Sequence, residues 1–78
     1  MDKKNTIFCD IDGTIFKYRQ FETYTNTDAE PISSTVEYLI DQKEQGHMII
    51  LTTARPEYLF DHTVWELEKN SVPYDKLK

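Results

Sequence analysis

The chain holds 78 residues, enough for one domain at most, and a domain of that size buries only about 60 % of the surface its unfolded chain exposes. Hydrophobic residues make up 38 % and charged residues 29 %, the composition of a soluble globular protein. The net charge of −5 is spread without an acidic block or a basic stripe. That excludes nucleic-acid binding through bulk electrostatics but leaves room for a site that handles one phosphorylated end.

The single cysteine, Cys9, cannot close an internal disulfide and fits a reducing compartment. The basic start, Lys3-Lys4, is followed by no apolar core long enough for a signal peptide. The longest strongly apolar run, Met48-Ile49-Ile50-Leu51, falls far short of a membrane span, so the expected location is cytoplasmic.

Residues 6–10 read as a short buried strand, with Ile7-Phe8-Cys9 forming an apolar run that ends in turn residues. The stretch Cys9-Asp10-Ile11-Asp12-Gly13-Thr14 then sets two carboxylates two residues apart, where glycine frees the chain to turn. Like charges this close destabilise one another unless a hard divalent cation or a reaction uses them. Residues 15–31 read as a short flap, loop or hairpin carrying Phe16, Tyr18, Phe21 and Tyr24. Tyr18, Phe21 and Tyr24 either pack the loop or gate a substrate.

Residues 32–45 have the spacing of an amphipathic helix, with Ile32, Val36, Leu39 and Ile40 on one face. Pro31 suits its entry, Ser33 or Ser34 is its cap candidate, and Gly46 is its stop. Residues 47–52 form a second strand, apolar from Met48 to Leu51, as in a parallel sheet covered on both faces. Thr53-Ala54-Arg55-Pro56 leaves this strand and opens a second helix. Pro56 lies in its first turn, Glu57 at its positive end, and Phe60, Val64 and Leu67 on its apolar face. Residues 70–73 break that pattern, and residues 74–78 approach another strand.

Strand, long connection with a helix, strand, helix is the order of a Rossmann-like α/β domain, a parallel sheet with flanking helices, here its N-terminal half over residues 1–78. Ligands of such sheets sit outside the carboxyl ends of the strands, where Asp10, Asp12 and Thr53 all map. Taken alone, Asp-x-Asp-Gly is also a common turn, or part of a calcium loop that lacks its closing Glu. Thr53 can be an ordinary strand-end hydroxyl, and Arg55 a partner for Glu57 or a carbonyl cap. His47 and His62 read as surface residues, Trp65 as packing at a helix edge, and Cys9 as a small buried side chain.

The two motifs together resemble those of the haloacid dehalogenase superfamily of phosphohydrolases. One is the apolar strand followed by Asp10-Ile11-Asp12-Gly13-Thr14; the other is Ile49-Ile50-Leu51-Thr52-Thr53-Ala54-Arg55, an apolar strand ending in Thr with an Arg two residues on. The resemblance spans most of residues 7–70 and implies a Mg²⁺-dependent phosphatase. By it, Asp10 would be the nucleophile that forms an aspartyl-phosphate, and Asp12 the general acid and then the base. Asp10 and the backbone carbonyl of Asp12 would hold Mg²⁺. Thr53 would bind a phosphoryl oxygen, Thr14 would fix the loop, and Arg55 would support the site or the substrate.

The chemistry agrees with those roles. An aspartate with the usual pKa of about 3.9 is ionised at neutral pH and attacks without a base. The second acid needs surroundings that keep a proton on it. The insert over residues 15–31 is too short for a large cap. An open site of that kind suits a phosphorylated small molecule, the phosphorylated end of a larger substrate, or a cap lent by a partner subunit. Lys69, Lys76 and Asp75 do not match the later lysine and acids of the superfamily, which implies a partial chain. The alternative is a non-catalytic fragment or binding module that keeps the half-sheet without the chemistry. An exposed half-sheet also favours pairing with a second copy as a homo-oligomer.

Overall fold

Three parallel strands make one sheet in the order β1 (Thr6–Asp10), β2 (Met48–Thr52), β3 (Lys76–Leu77). Helix α1 (Ser33–Glu44) connects β1 to β2, and α2 (Phe60–Lys69), entered through a 3₁₀ turn at Glu57–Leu59, connects β2 to β3. This computed structural model describes residues 4–19 and 27–78. Phe21 and Tyr24 lie outside the described residues. No described helix is long and apolar enough to cross a membrane.

The central strand explains the arrangement. Ile49, Ile50 and Leu51 are all buried, as a strand paired on both edges and covered on both faces requires. Its register with β1 runs from Thr6 opposite Met48 to Asp10 opposite Thr52, so the two strands end flush. Strand β1 behaves differently from the expected buried run. Ile7 and Cys9 pack against the core, but Phe8 is 66 % exposed. Successive side chains on a strand point to opposite faces, and the described residues cover only one face of β1. Cys9 is half-buried rather than fully buried. Burial, and then the neighbouring Asp10 charge, push its thiol pKa up.

The turn after β1 supplies core rather than loop surface. Ile11, Ile15 and Phe16 are fully buried, and the Ile11 carbonyl accepts from the N–H groups of Thr14, Ile15 and Phe16. Gly13 sits at φ 89°, in the region where a side chain is strained. Residues on either side of the 15–31 insert then pair as a short stem. The Lys17 N–H donates to the Glu30 carbonyl at 2.8 Å, the Ile32 N–H donates to the Ile15 carbonyl at 2.7 Å, and Phe16 bridges to Pro31.

Helix α1 buries Leu39 fully and Val36 in part against the sheet, while Ile40 stays exposed at the edge of the stripe. Neither serine caps the helix. Ile32, in extended conformation, holds the N-cap position without a side-chain bond, which leaves Ser33 and Ser34 inside the first turn. The C-terminal end is a Schellman closure: the His47 N–H reaches the Gln42 carbonyl, the Gly46 N–H reaches the Lys43 carbonyl, and Gly46 takes φ 87°. Helix α2 ends the same way, through Val72 to Leu67 and Ser71 to Glu68, with Ser71 at φ 57° where glycine is usual.

The inward face of α2 differs from the expected Phe60, Val64 and Leu67. Leu67 is buried, but Phe60 is 50 % exposed and Val64 is half-buried. The buried stripe is Leu59, Thr63, Glu66 and Leu67, spaced i, i+4, i+7 and i+8. Its two polar members are buried because an arginine from the loop after β2 reaches them. Asp75 locks β3 in place: one carboxylate oxygen accepts from the Ile49 N–H at 2.7 Å and the other meets Lys43 of α1.

Candidate active site

The flush ends of β1 and β2 bring Asp10 beside Thr52. The Thr52 hydroxyl donates to Asp10 Oδ1 at 2.5 Å, which fixes that carboxylate and leaves Oδ2 for other chemistry. Beyond the strand ends lies a cleft of about 350 Å³ lined by Asp10, Asp12, Tyr18, Thr52, Thr53 and Arg55, among others. Asp10, Asp12, Thr53 and Arg55 thus converge on one mouth.

Thr14 lies elsewhere. It lines a groove with Phe8, Ser34 and Tyr38 between β1 and α1. Tyr18 projects at the cleft and is 75 % exposed.

Thr53 caps its own turn, its Oγ1 accepting from the Arg55 N–H at 3.0 Å. A hydroxyl has one O–H to give and two lone pairs, so accepting this bond does not use the Thr53 donor.

Arg55 joins the cleft to the core. Its side chain is 1 % exposed. Nε and Nη2 donate to the two oxygens of Asp12 at 2.8 and 2.7 Å. Nη1 donates to Glu66 Oε1 at 2.7 Å and to Thr63 Oγ1 at 3.2 Å. Burial works against the guanidinium charge, but the bonds and attraction of Asp12 and Glu66 outweigh it, and the arginine pKa is raised. Glu66 is held from the other side by Arg19, whose Nη2 meets both carboxylate oxygens at 3.0 and 2.9 Å. His62 Nε2 lies 3.3 Å from Glu66 Oε2.

The Arg55 guanidinium is thus set against both oxygens of Asp12. A carboxylate has about four lone-pair sites, of which the fork takes two, and Asp12 lines the cleft. His47 is a half-buried acceptor, its Nδ1 taking the Asn5 N–H at 3.0 Å. Trp65 sits half-exposed under the Lys69 ammonium, 4.9 Å from the ring centre.

Thr52, Glu66, Thr63 and Arg19 are the residues that sequence reasoning missed. The tandem Thr52-Thr53 does not say which hydroxyl meets Asp10; the strand register does. The signal for Glu66 is the polar gap at Thr63 and Glu66 inside the stripe from Leu59 to Leu67.

Among the described residues no three His, Cys, Asp or Glu side chains cluster as a metal cage. The donors that the resemblance assigns are the Asp10 carboxylate and the Asp12 carbonyl, both hard oxygens. That suits Mg²⁺, which keeps several waters and takes one or two carboxylates together with substrate phosphate.

A parallel sheet that gathers an Asp-x-Asp-Gly-Thr turn and a Thr-x-Arg loop at one end defines a haloacid dehalogenase-like hydrolase. That family's sequence model matches residues 7–74, and the chain belongs to the family. A chain of the solved Pnkp1/Rnl/Hen1 complex superposes with a TM-score of 0.83 at 25 % identity, the match covering 94 % of this chain and 26 % of that one. A chain of the Pnkp1/Rnl/Hen1 RNA repair complex gives 0.82 at 25 % identity, covering 95 % and 25 %. A crystal structure from Vibrio cholerae shares the fold, with a TM-score of 0.70 at 22 % identity, covering 94 % and 67 %. The chain therefore spans about a quarter of the length of the first two solved chains. No curated protein sequence matches it.

Proposed function

We propose that the protein is a phosphomonoester hydrolase working through an aspartyl-phosphate. The observation that carries this reading is the shared cleft: Asp10, Asp12 and Thr53 line one mouth at the ends of adjacent parallel strands.

Asp10 Oδ2 attacks phosphorus while Thr52 holds Oδ1. The bond from phosphorus to the leaving oxygen breaks, and Asp12 gives that oxygen a proton. Thr53 donates to a phosphoryl oxygen. Asp12 then takes a proton from water, the hydroxide attacks phosphorus, and the acyl-phosphate bond breaks to return the Asp10 carboxylate and free phosphate. Asp10 and the Asp12 carbonyl would hold Mg²⁺, which when bound neutralises charge that otherwise keeps phosphate and carboxylate apart.

The open mouth suits a phosphorylated small molecule or the phosphorylated end of a larger substrate. Similarity to a chain of an RNA repair complex supports a nucleotide or polynucleotide end among these. The test is Mg²⁺-dependent hydrolysis of an aryl phosphate with incorporation of labelled phosphate into the protein. Asp10→Asn is expected to abolish both turnover and labelling. A rate unchanged in Asp10→Asn, or a wild-type protein without turnover, refutes the reading and favours a non-catalytic binding module.

A further inference from the structure

We propose that Glu66 is a positioning residue: it fixes the plane of the Arg55 guanidinium so that the opposite edge of that fork sets Asp12 at the cleft mouth. The inference rests on the reading of Asp12 as general acid.

Geometry carries it. A guanidinium is rigid and planar, so anchoring one edge aims the other. The anchored edge is Nη1, held by Glu66 and Thr63 of α2; the aimed edge is Nε and Nη2, on Asp12. Glu66 is itself immobilised. It is 1 % exposed, it takes two bonds from Arg19, and His62 lies one helical turn away. Two arginines thus face two acids in a chain from Arg19 through Glu66 and Arg55 to Asp12. The chain ties the start of the 15–31 insert and α2 to the acid in the mouth.

Stability alone does not account for such a network. Buried ion pairs are often replaceable by apolar side chains at no loss, because desolvation offsets their attraction. Here the costly groups sit directly behind the cleft, and the polar residues of α2 take the place of the apolar stripe that packing alone would favour.

The experiment compares two substrates on one protein sample, so any loss of folded fraction cancels in the ratio. An alkyl phosphate needs a proton on its poor leaving group, whereas a nitro-substituted aryl phosphate does not. Misplacing a catalytic group by an ångström costs on the order of 100-fold. Glu66→Gln is expected to lower kcat on the alkyl phosphate by roughly 10- to 100-fold, within the range general-acid catalysis supplies. KM should hold, turnover of the aryl phosphate should change by less than about threefold, and Glu66→Asp should recover part of the loss. Equal losses on both substrates, or none, overturn the role of Glu66 while leaving the phosphatase reading intact. A wild-type protein inactive on both overturns the phosphatase reading and the role together. A readout independent of turnover is the ¹⁵N–¹H signal of Arg55 Nε, identified by its loss in Arg55→Lys. It should shift and exchange faster with solvent in Glu66→Gln, and an unchanged signal also overturns the proposal.

Discussion

Replacing Arg55 by methionine tests the charge network most directly. The variant loses two bonds to Asp12, one to Glu66 and one to Thr63. Removing one partner of a buried ion pair costs about 3–5 kcal/mol, because the other charge is left uncompensated. Two features move the expectation toward the lower end. Glu66 keeps both bonds from Arg19, and the Asp12 side chain, 13 % exposed, lies near enough to the surface to recruit water. A loss of about 3 kcal/mol is therefore expected, against a total of roughly 4–12 kcal/mol for a chain of 78 residues. With a urea dependence near 1 kcal/mol per molar for so small a domain, the unfolding midpoint should fall by about 3 M. The loss should persist in about 0.5 M salt, because buried pairs are weakly screened, unlike the exposed Lys17–Glu30 pair. A midpoint shift below about 0.5 M, or a loss that salt removes, would refute the buried network as described.

Two further outcomes follow from the backbone and from acid titration. Ser71 takes φ 57° at the end of α2, a conformation that costs a residue with a side chain about 1–2 kcal/mol, so Ser71→Gly should raise the melting temperature by several degrees, measured by circular dichroism. An unchanged or lower melting temperature would contradict that backbone geometry. Asp75 has its pKa lowered by the hydrogen bond from Lys43 and then by the Ile49 N–H. A carboxylate lowered in the folded state adds stability above its unfolded value of about 3.9, and that stability is lost as pH falls through the folded value. Wild type should therefore lose urea resistance below about pH 4 more steeply than Asp75→Asn; parallel acid limbs would remove Asp75 from the account.

The parts of the fold that could be read from sequence are those whose signals are local. The strand ends at Asp10 and Thr52 follow from an apolar run meeting turn residues, and Gly46 closes α1 through the backbone conformation that glycine favours. The parts that could not be read depend on what packs from afar. Phe8 belongs to an apolar run, but its exposure is decided by which face of β1 is covered. Ile11, Ile15 and Phe16 break both periodicities, and only the folded turn shows that they are core. The inward face of α2 carries Thr63 and Glu66 because Arg55 and Arg19, 11 and 47 residues away from Glu66, supply the donors that make their burial tolerable. The Asp10 and Asp12 motif is visible at once. The Thr52 bond and the Arg55 fork need the register and the helix.

The short stem joining residues 15–17 to 30–32 has a consequence for how this scaffold can diversify. Backbone bonds of 2.7 and 2.8 Å clamp the stem, and Arg19, just beyond it, is tied through Glu66 and Arg55 to Asp12. Doubling the length of a loop between fixed ends adds only about 0.6 kcal/mol of closure entropy. Length added beyond Arg19 would leave both the stem and that tie in place, whereas one residue added within β1 would throw the acid pair out of step with Thr52 and Thr53.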